Sequence, residues 1–112
     1  MENKLIFNQT QNLIITEKVR ICRTLFSQMR GLMFRKKQNL LMIFEQERII
    51  SLHNFFVFYP IDVLVLDYNL RVVEIKKNFR PGTFWNAQQK GKYLLELAFP
   101  AQYQVGDRFK LN

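Results

Sequence analysis

The stretch from Ser51 to Asp67 limits the folds open to this chain more than any other. It holds the only histidine, His53, and four aromatics in five positions: Phe55, Phe56, Phe58 and Tyr59. It also holds a Pro60-Ile61-Asp62 break between two apolar runs. Proline cannot donate to a sheet ladder, so Tyr59-Pro60-Ile61 is expected to end one strand before Asp62–Leu66 begins the next. In the first, expected over Ile49–Phe58, alternation puts Ile50, Leu52, Phe56 and Phe58 on one face. Ser51, His53, Phe55 and Val57 take the other. Broken at Pro60 and Asp62, the run falls short of the ~20 apolar residues a membrane helix requires.

Apolar residues make up 48 % of the 112 residues, and Phe alone contributes 11, so one domain spanning residues 1–112 with a single core is expected. Phe with Val and Ile through the middle of the chain favours strands. Met1–Phe7 shows no basic segment followed by an apolar run, so no secretory signal is expected. One cysteine, Cys22, excludes an intrachain disulfide and fits a reducing cytoplasm. Cys22 reads as a packing residue of a strand.

The net charge of +8 is uneven. Residues 1–38 carry 8 Lys+Arg against 2 acids, residues 39–67 carry 1 against 4, and residues 68–112 carry 8 against 3. A mildly acidic centre thus lies between basic flanks, a balance that serves acidic partners or solubility alike.

Leu5-Ile6-Phe7 and Leu13-Ile14-Ile15, separated by polar Asn8–Asn12, read as a hairpin, the second strand continuing through Val19 and Ile21. Leu25, Phe26, Met29, Leu32 and Met33 recur at helical spacing behind Thr24, which predicts one short helix within 24–37. Leu40–Phe44 is a strand and Glu45–Arg48 a turn. Asp67–Leu70 turns into Arg71–Ile75. Residues 78–92 are the longest irregular segment. Tyr93–Leu97, a turn at Val105–Asp107 and Arg108–Leu111 complete the order. Seven or eight strands with one helix predict a mostly β, α+β fold: a small antiparallel barrel-like or strongly curled sheet.

The succession Arg30-Gly31-Leu32-Met33-Phe34-Arg35, Ser51 through Asp67, Arg71-Val72-Val73-Glu74, Tyr93-Leu94-Leu95-Glu96-Leu97 and Gly106-Asp107 resembles the domain of unknown function 192 family. The His-x-Phe-Phe form beginning at His53 resembles its archaeal branch. That resemblance implies a small, mostly β, barrel-like protein and carries no activity, cofactor or partner with it. The family's usual Pro-x-Gly turn is replaced here by Ala98-Phe99-Pro100-Ala101, without the glycine.

Polar residues that interrupt apolar stretches are the candidates for chemistry, because an unpaired buried charge is costly. Arg30, His53, Asp62, Glu96 and Trp85 form the candidate ligand-binding set. Each has a plainer reading. His53 can bond a neighbouring carbonyl or carboxylate, and Glu96 can pair with Arg30. Asp62 and Asp67 can hold backbone amides at strand ends, and Asp107 can shape a turn. With one histidine and one cysteine, no His/Cys zinc site is available. No phosphate loop or dinucleotide fingerprint is present, and no metal or cofactor is expected.

Three readings follow. The first is a small-ligand or protein-partner-binding module. The second is a hydrolase- or lyase-like enzyme using His53 with a carboxylate, although no catalytic constellation is legible. The third is an accessory nucleic-acid-binding protein acting through the basic-aromatic loop 76–92, with Lys76, Lys77, Arg80, Phe84, Lys90 and Lys92 in contact.

Overall fold

A computed structural model describes residues 3–24, 36–54 and 57–112. Its elements are β1 (Asn3–Asn8), β2 (Leu13–Cys22), β3 (Leu40–His53), β4 (Ile61–Leu66), β5 (Val72–Phe79), β6 (Phe84–Leu97) and β7 (Phe109–Leu111). They form one sheet in the order β5-β4-β6-β3-β2-β1-β7.

The strands at the sheet's centre are buried on both sides, which is why their sequences read as unbroken apolar runs. On one face lie Leu40, Met42, Val63, Val65 and Leu94, joined by Cys22, Ile50 and Phe79. On the other lie Leu41, Leu64, Leu66, Leu95 and Leu97, joined by Ile6, Ile15, Val19, Ile21 and Phe109. The register accounts for this split: Val63 pairs with Glu96 and Glu96 with Leu40, whereas Leu64 pairs with Leu95 and Leu95 with Leu41.

β3 and β6 are long and bent. Their ladder shifts register between Ile43 and Arg48 and between Ile49 and Ser51, and such bulges turn a strand. The outer half of the ladder thereby brings Leu52 and Trp85 against the first core cluster. Gly91 stands at the bend, where a Cβ would meet the Val65 Cγ1 at 2.3 Å and the Leu66 carbonyl oxygen at 3.3 Å. Close approach, rather than backbone conformation, requires glycine there.

The α+β, antiparallel, barrel-like expectation is corrected on three counts. Every regular element among the described residues is a strand, so the fold there is all-β. The helix expected within 24–37 falls chiefly on residues 25–35, outside the described residues. The sheet is mixed, because β2 and β3 run parallel, with Arg20 opposite Leu40 and Cys22 opposite Met42. It is also open: edge strands β5 and β7 are joined only near one end, through the isolated Arg71–Arg108 bridge.

Local boundaries moved too. The turn expected at Glu45–Arg48 is the exposed, bulged middle of a continuous β3, and that strand stops at His53 rather than Phe58. Residues 78–92 are not an irregular loop: β5 runs to Phe79 and β6 starts at Phe84. Between them Gly82 adopts φ 77°. The hairpins at 8–13 and 66–72 form as expected, with Asn12 and Leu70 at positive φ.

Candidate functional site

Glu96 is the most unusual polar residue of the sheet. It lies on β6 in a cross-strand row that reads Lys76, Val63, Glu96, Leu40, Arg20 from β5 to β2. Its side chain is therefore flanked by leucine and valine and faces the first core cluster. Only 6 % of the residue is exposed, and its Oε1 has no hydrogen-bond partner. Burial pushes its carboxyl up to about 7. Unpaired buried carboxyls favour the neutral form because the charge cannot be solvated. Such a group can donate or accept a hydrogen bond at neutral pH, or exchange a proton.

Asp62, one position before Val63, points the other way, opposite Leu97. Its Oδ1 accepts the Asn78 N–H at 2.9 Å, and its Oδ2 accepts the Tyr103 hydroxyl. Lys77 Nζ lies 3.9 Å from that oxygen and 4.4 Å from the Tyr103 ring centroid. Burial first, then the Asp62 bond and charge, raise the Tyr103 hydroxyl far above its ordinary value. The carboxylate is thus committed to holding the start of β4 against β5 and the 98–103 segment. A cleft of about 340 Å³ opens beside it, lined by Asp62, Lys77, Asn78 and Ala98 through Ala101.

His53 is exposed at the end of β3, opposite Phe84 in the ladder. The bonds of Asp62 are those named above, and Glu96 carries none, so neither carboxylate engages His53. Trp85, opposite Leu52, is partly buried against the first core cluster. Arg30 lies outside the described residues. Of the five candidate ligand-binding residues, Glu96 and Trp85 border one core cluster, while Asp62 turns to the other face.

The six candidate nucleic-acid contacts are dispersed over a β hairpin. Lys76 is half-buried opposite Val63, and Lys77 is held over Tyr103. Lys92 donates to the backbone carbonyls of Phe44 and Glu45. Arg80, Phe84 and Lys90 are exposed.

Sequence reasoning missed the asparagines. Buried Asn54 donates to the Phe79 carbonyl at 2.9 Å and pins the end of β3 to the 79–83 turn. Buried Asn39 donates to Thr16 Oγ1 at 2.8 Å and accepts the Ala98 N–H at 2.8 Å. The signal available for each was a short amide at the border of an apolar run. Asp107 meets its expected role as a turn residue, accepting from Asn8, Gln11 and the Gln104 amide at 2.7–2.9 Å. Among the described residues, no cluster of His, Cys, Asp or Glu could hold a metal ion. No helix among them is long and apolar enough to cross a membrane.

A family model for domain of unknown function 192, described as "Uncharacterized ACR", matches residues 6–108. A UPF0127 protein of Pyrococcus horikoshii is 32% identical over 113 residues, covering 95% of this chain and 97% of that protein. A UPF0127 protein of Thermococcus sibiricus is 33% identical over 96 residues, covering 82% of this chain; the match spans only 62% of that longer relative. Two crystal structures share the fold. One, a candidate transcription regulator from Sinorhizobium meliloti, superposes with a TM-score of 0.83 at 19% identity, covering 98% of this chain and 92% of that one. The other, a protein of unknown function from Novosphingobium aromaticivorans, gives 0.79 at 17% identity, covering 96% and 83%. At these identities the likeness is one of fold alone.

Proposed function

Since the chain belongs to the uncharacterised domain of unknown function 192 family, with archaeal relatives, we propose a function from its own chemistry: a small-ligand-binding module whose recognition group is Glu96. One observation carries this reading. A carboxyl that is nine-tenths buried among Leu40, Val63 and their neighbours keeps an oxygen without a partner. Leaving such a group unpaired costs about 1–3 kcal/mol, a cost that a bound hydrogen-bonding ligand removes. The apolar surroundings strengthen that bond by excluding water. They also favour a ligand with an apolar body and one polar group.

The test is an NMR titration of the labelled protein against a library of small amides, alcohols and amines, repeated with Glu96→Leu. Saturable shifts at Leu40, Val63 and Ala98 that vanish in the variant are expected. Ligands that shift other parts of the molecule, or bind Glu96→Leu equally well, overturn the proposal.

The enzyme reading keeps one supporting observation, the Glu96 carboxyl near 7, which suits proton transfer at neutral pH. It no longer rests on His53 with Asp62 or Glu96, since neither carboxylate engages the imidazole.

A further inference from the structure

A second cleft, of about 530 Å³, opens where β2 and the segment leading into β3 diverge. It took no part in the reading of the Glu96 site. Three cations line it, Lys18, Arg20 and Lys37, against one carboxylate, Glu17. Its size falls within the range of small-molecule sites.

The floor of this cleft is held rigidly by side-chain bonds. Thr16 Oγ1 donates to the Lys18 carbonyl at 2.9 Å and accepts from Asn39 Nδ2 at 2.8 Å. Asn39 in turn holds the Ala98 amide, and both Thr16 and Asn39 are buried. Arg20 is oriented by its Nε–H bond to Gln38 Oε1 at 2.8 Å, and Gln38 is tied to the Lys36 carbonyl. Lys37 Nζ sits 5.0 Å from the centroid of the Phe99 ring, which is 47% exposed. Positive charge thus stands at the rim of a fixed floor, beside an aromatic face. Charges held in place need little reordering when a ligand binds, so more of the interaction appears as affinity.

We infer that this cleft binds a small phosphorylated ligand, its phosphate placed between Lys18, Arg20 and Lys37 and its ring or alkyl part laid on Phe99. Three cations against one carboxylate match a phosphate dianion. Arg20, held by Gln38, and the two ammonium groups supply fixed and mobile positive charge for the phosphate oxygens. The exposed aromatic face favours a planar or apolar substituent over inorganic phosphate alone. The site stands whether or not Glu96 holds a ligand, because none of its residues belongs to that reading.

The test follows amide shifts of the labelled full chain on addition of inorganic pyrophosphate, adenosine 5′-monophosphate, or a short single-stranded RNA. Each titration is run at about 50 and 300 mM NaCl to expose screening. Saturable shifts at Lys18, Gln38, Asn39 and Phe99 with the monophosphate are expected, tighter than with pyrophosphate. The double variant Lys18→Glu/Lys37→Glu weakens that binding at least about tenfold, the scale of losing two charge-assisted contacts. Charge reversal at Lys90, which pairs with Ile49 far along β3 from Asn39 and does not line the cleft, leaves it within about twofold. Shifts spread over Lys77, Lys90 and Lys110, or equal loss from the Lys90 reversal, would mean unspecific attraction to a +8 chain and would overturn the inference. Preference for RNA over the monophosphate, mapped to Arg80 and Phe84, would overturn it in favour of nucleic acid.

Discussion

Two buried carboxyls respond to pH in opposite directions. Glu96 is raised from an ordinary 4.5 to about 7 by burial. Between those values the folded chain holds a proton that the unfolded chain has released, so stability falls as pH rises through this window. Above it the full charge penalty is present, at most about 3 kcal/mol. Glu96→Leu is therefore expected to exceed the native chain modestly near pH 5, where only the unpaired neutral carboxyl is removed, and by up to about 3 kcal/mol more near pH 8, read from urea midpoints at each pH. A gap that did not widen with pH would contradict the burial argument. The same variant is expected to lose the proposed ligand, so gained stability with lost binding separates a functional carboxyl from a merely misplaced one. Asp107 behaves in reverse. Burial alone would raise it, but the bonds from Asn8, Gln104 and Gln11 prevail and hold it below its ordinary value. Its contribution is present above the ordinary carboxylate range and lost as acid reaches its depressed folded value. Asp107→Ala would leave the buried Asn8 amide without its 2.8 Å acceptor, at about 1–3 kcal/mol, and would flatten the acid limb of the stability profile. Of these residues, Glu96 was legible as an acid inside an apolar strand. Its lack of a partner was not, because pairing across strands is a property of the register.

At the scale of elements, unbroken apolar runs such as Leu40–Phe44 and Val63–Leu66 identified the central strands, since burial on both faces leaves no polar alternation. Glu45–Arg48 misled because a bulge and a turn present the same exposed polar signature. Residues 78–92 misled for a related reason: around Trp85 and Ala87 the outer half of β6 shows Asn86, Gln88, Gln89 and Lys90, the polar face of an outward ribbon. The Gln88 and Gln89 amides are taken up by Glu74 Oε1 at 2.8 and 2.7 Å, a contact made across strands and invisible locally. Gly91 tests whether this bend is required. Gly91→Ala forces its Cβ to 2.3 Å from Cγ1 of the fully buried Val65 side chain, with the Leu66 carbonyl oxygen at 3.3 Å and Ile50 Cδ1 at 3.4 Å. A loss of about 1–3 kcal/mol in chemical denaturation is expected, with shifts centred on Ile50, Val65 and Leu66. A neutral substitution would mean the β3–β6 ladder bends freely at this point.

For the molecule as a whole, sequence periodicity carried the β content but not how far the sheet closes: the expected barrel stays open, and what joins its edges at one end is distant in sequence. The Val72 N–H donates to the Asp107 carbonyl and the Phe109 N–H to the Leu70 carbonyl, both at 2.8 Å, while the Gly106 N–H returns to Val72. Arg71 adds a guanidinium bond to the Gly106 carbonyl at 2.7 Å. These bonds tie the start of β5 to the approach of β7 around the Arg71–Arg108 bridge, and elsewhere the two edges stay apart. Phe109, 2% exposed, is the apolar anchor of that joint in the second core cluster. If the joint acts as one unit, Phe109→Ala costs about 3–5 kcal/mol, as for other buried Phe truncations. Exchange at the Val72, Gly106 and Phe109 amides then accelerates together, because breaking the anchor frees the bonds on both edges. A loss confined to Phe109, with Val72 still protected, would show instead that β5 is held by β4 alone and that the joint is a contact without a structural role. Placing two arginines side by side at that joint also sets self-repulsion against it in a +8 chain. Salt is therefore expected to raise native stability more than that of Arg108→Gln, in which one of the two charges is gone.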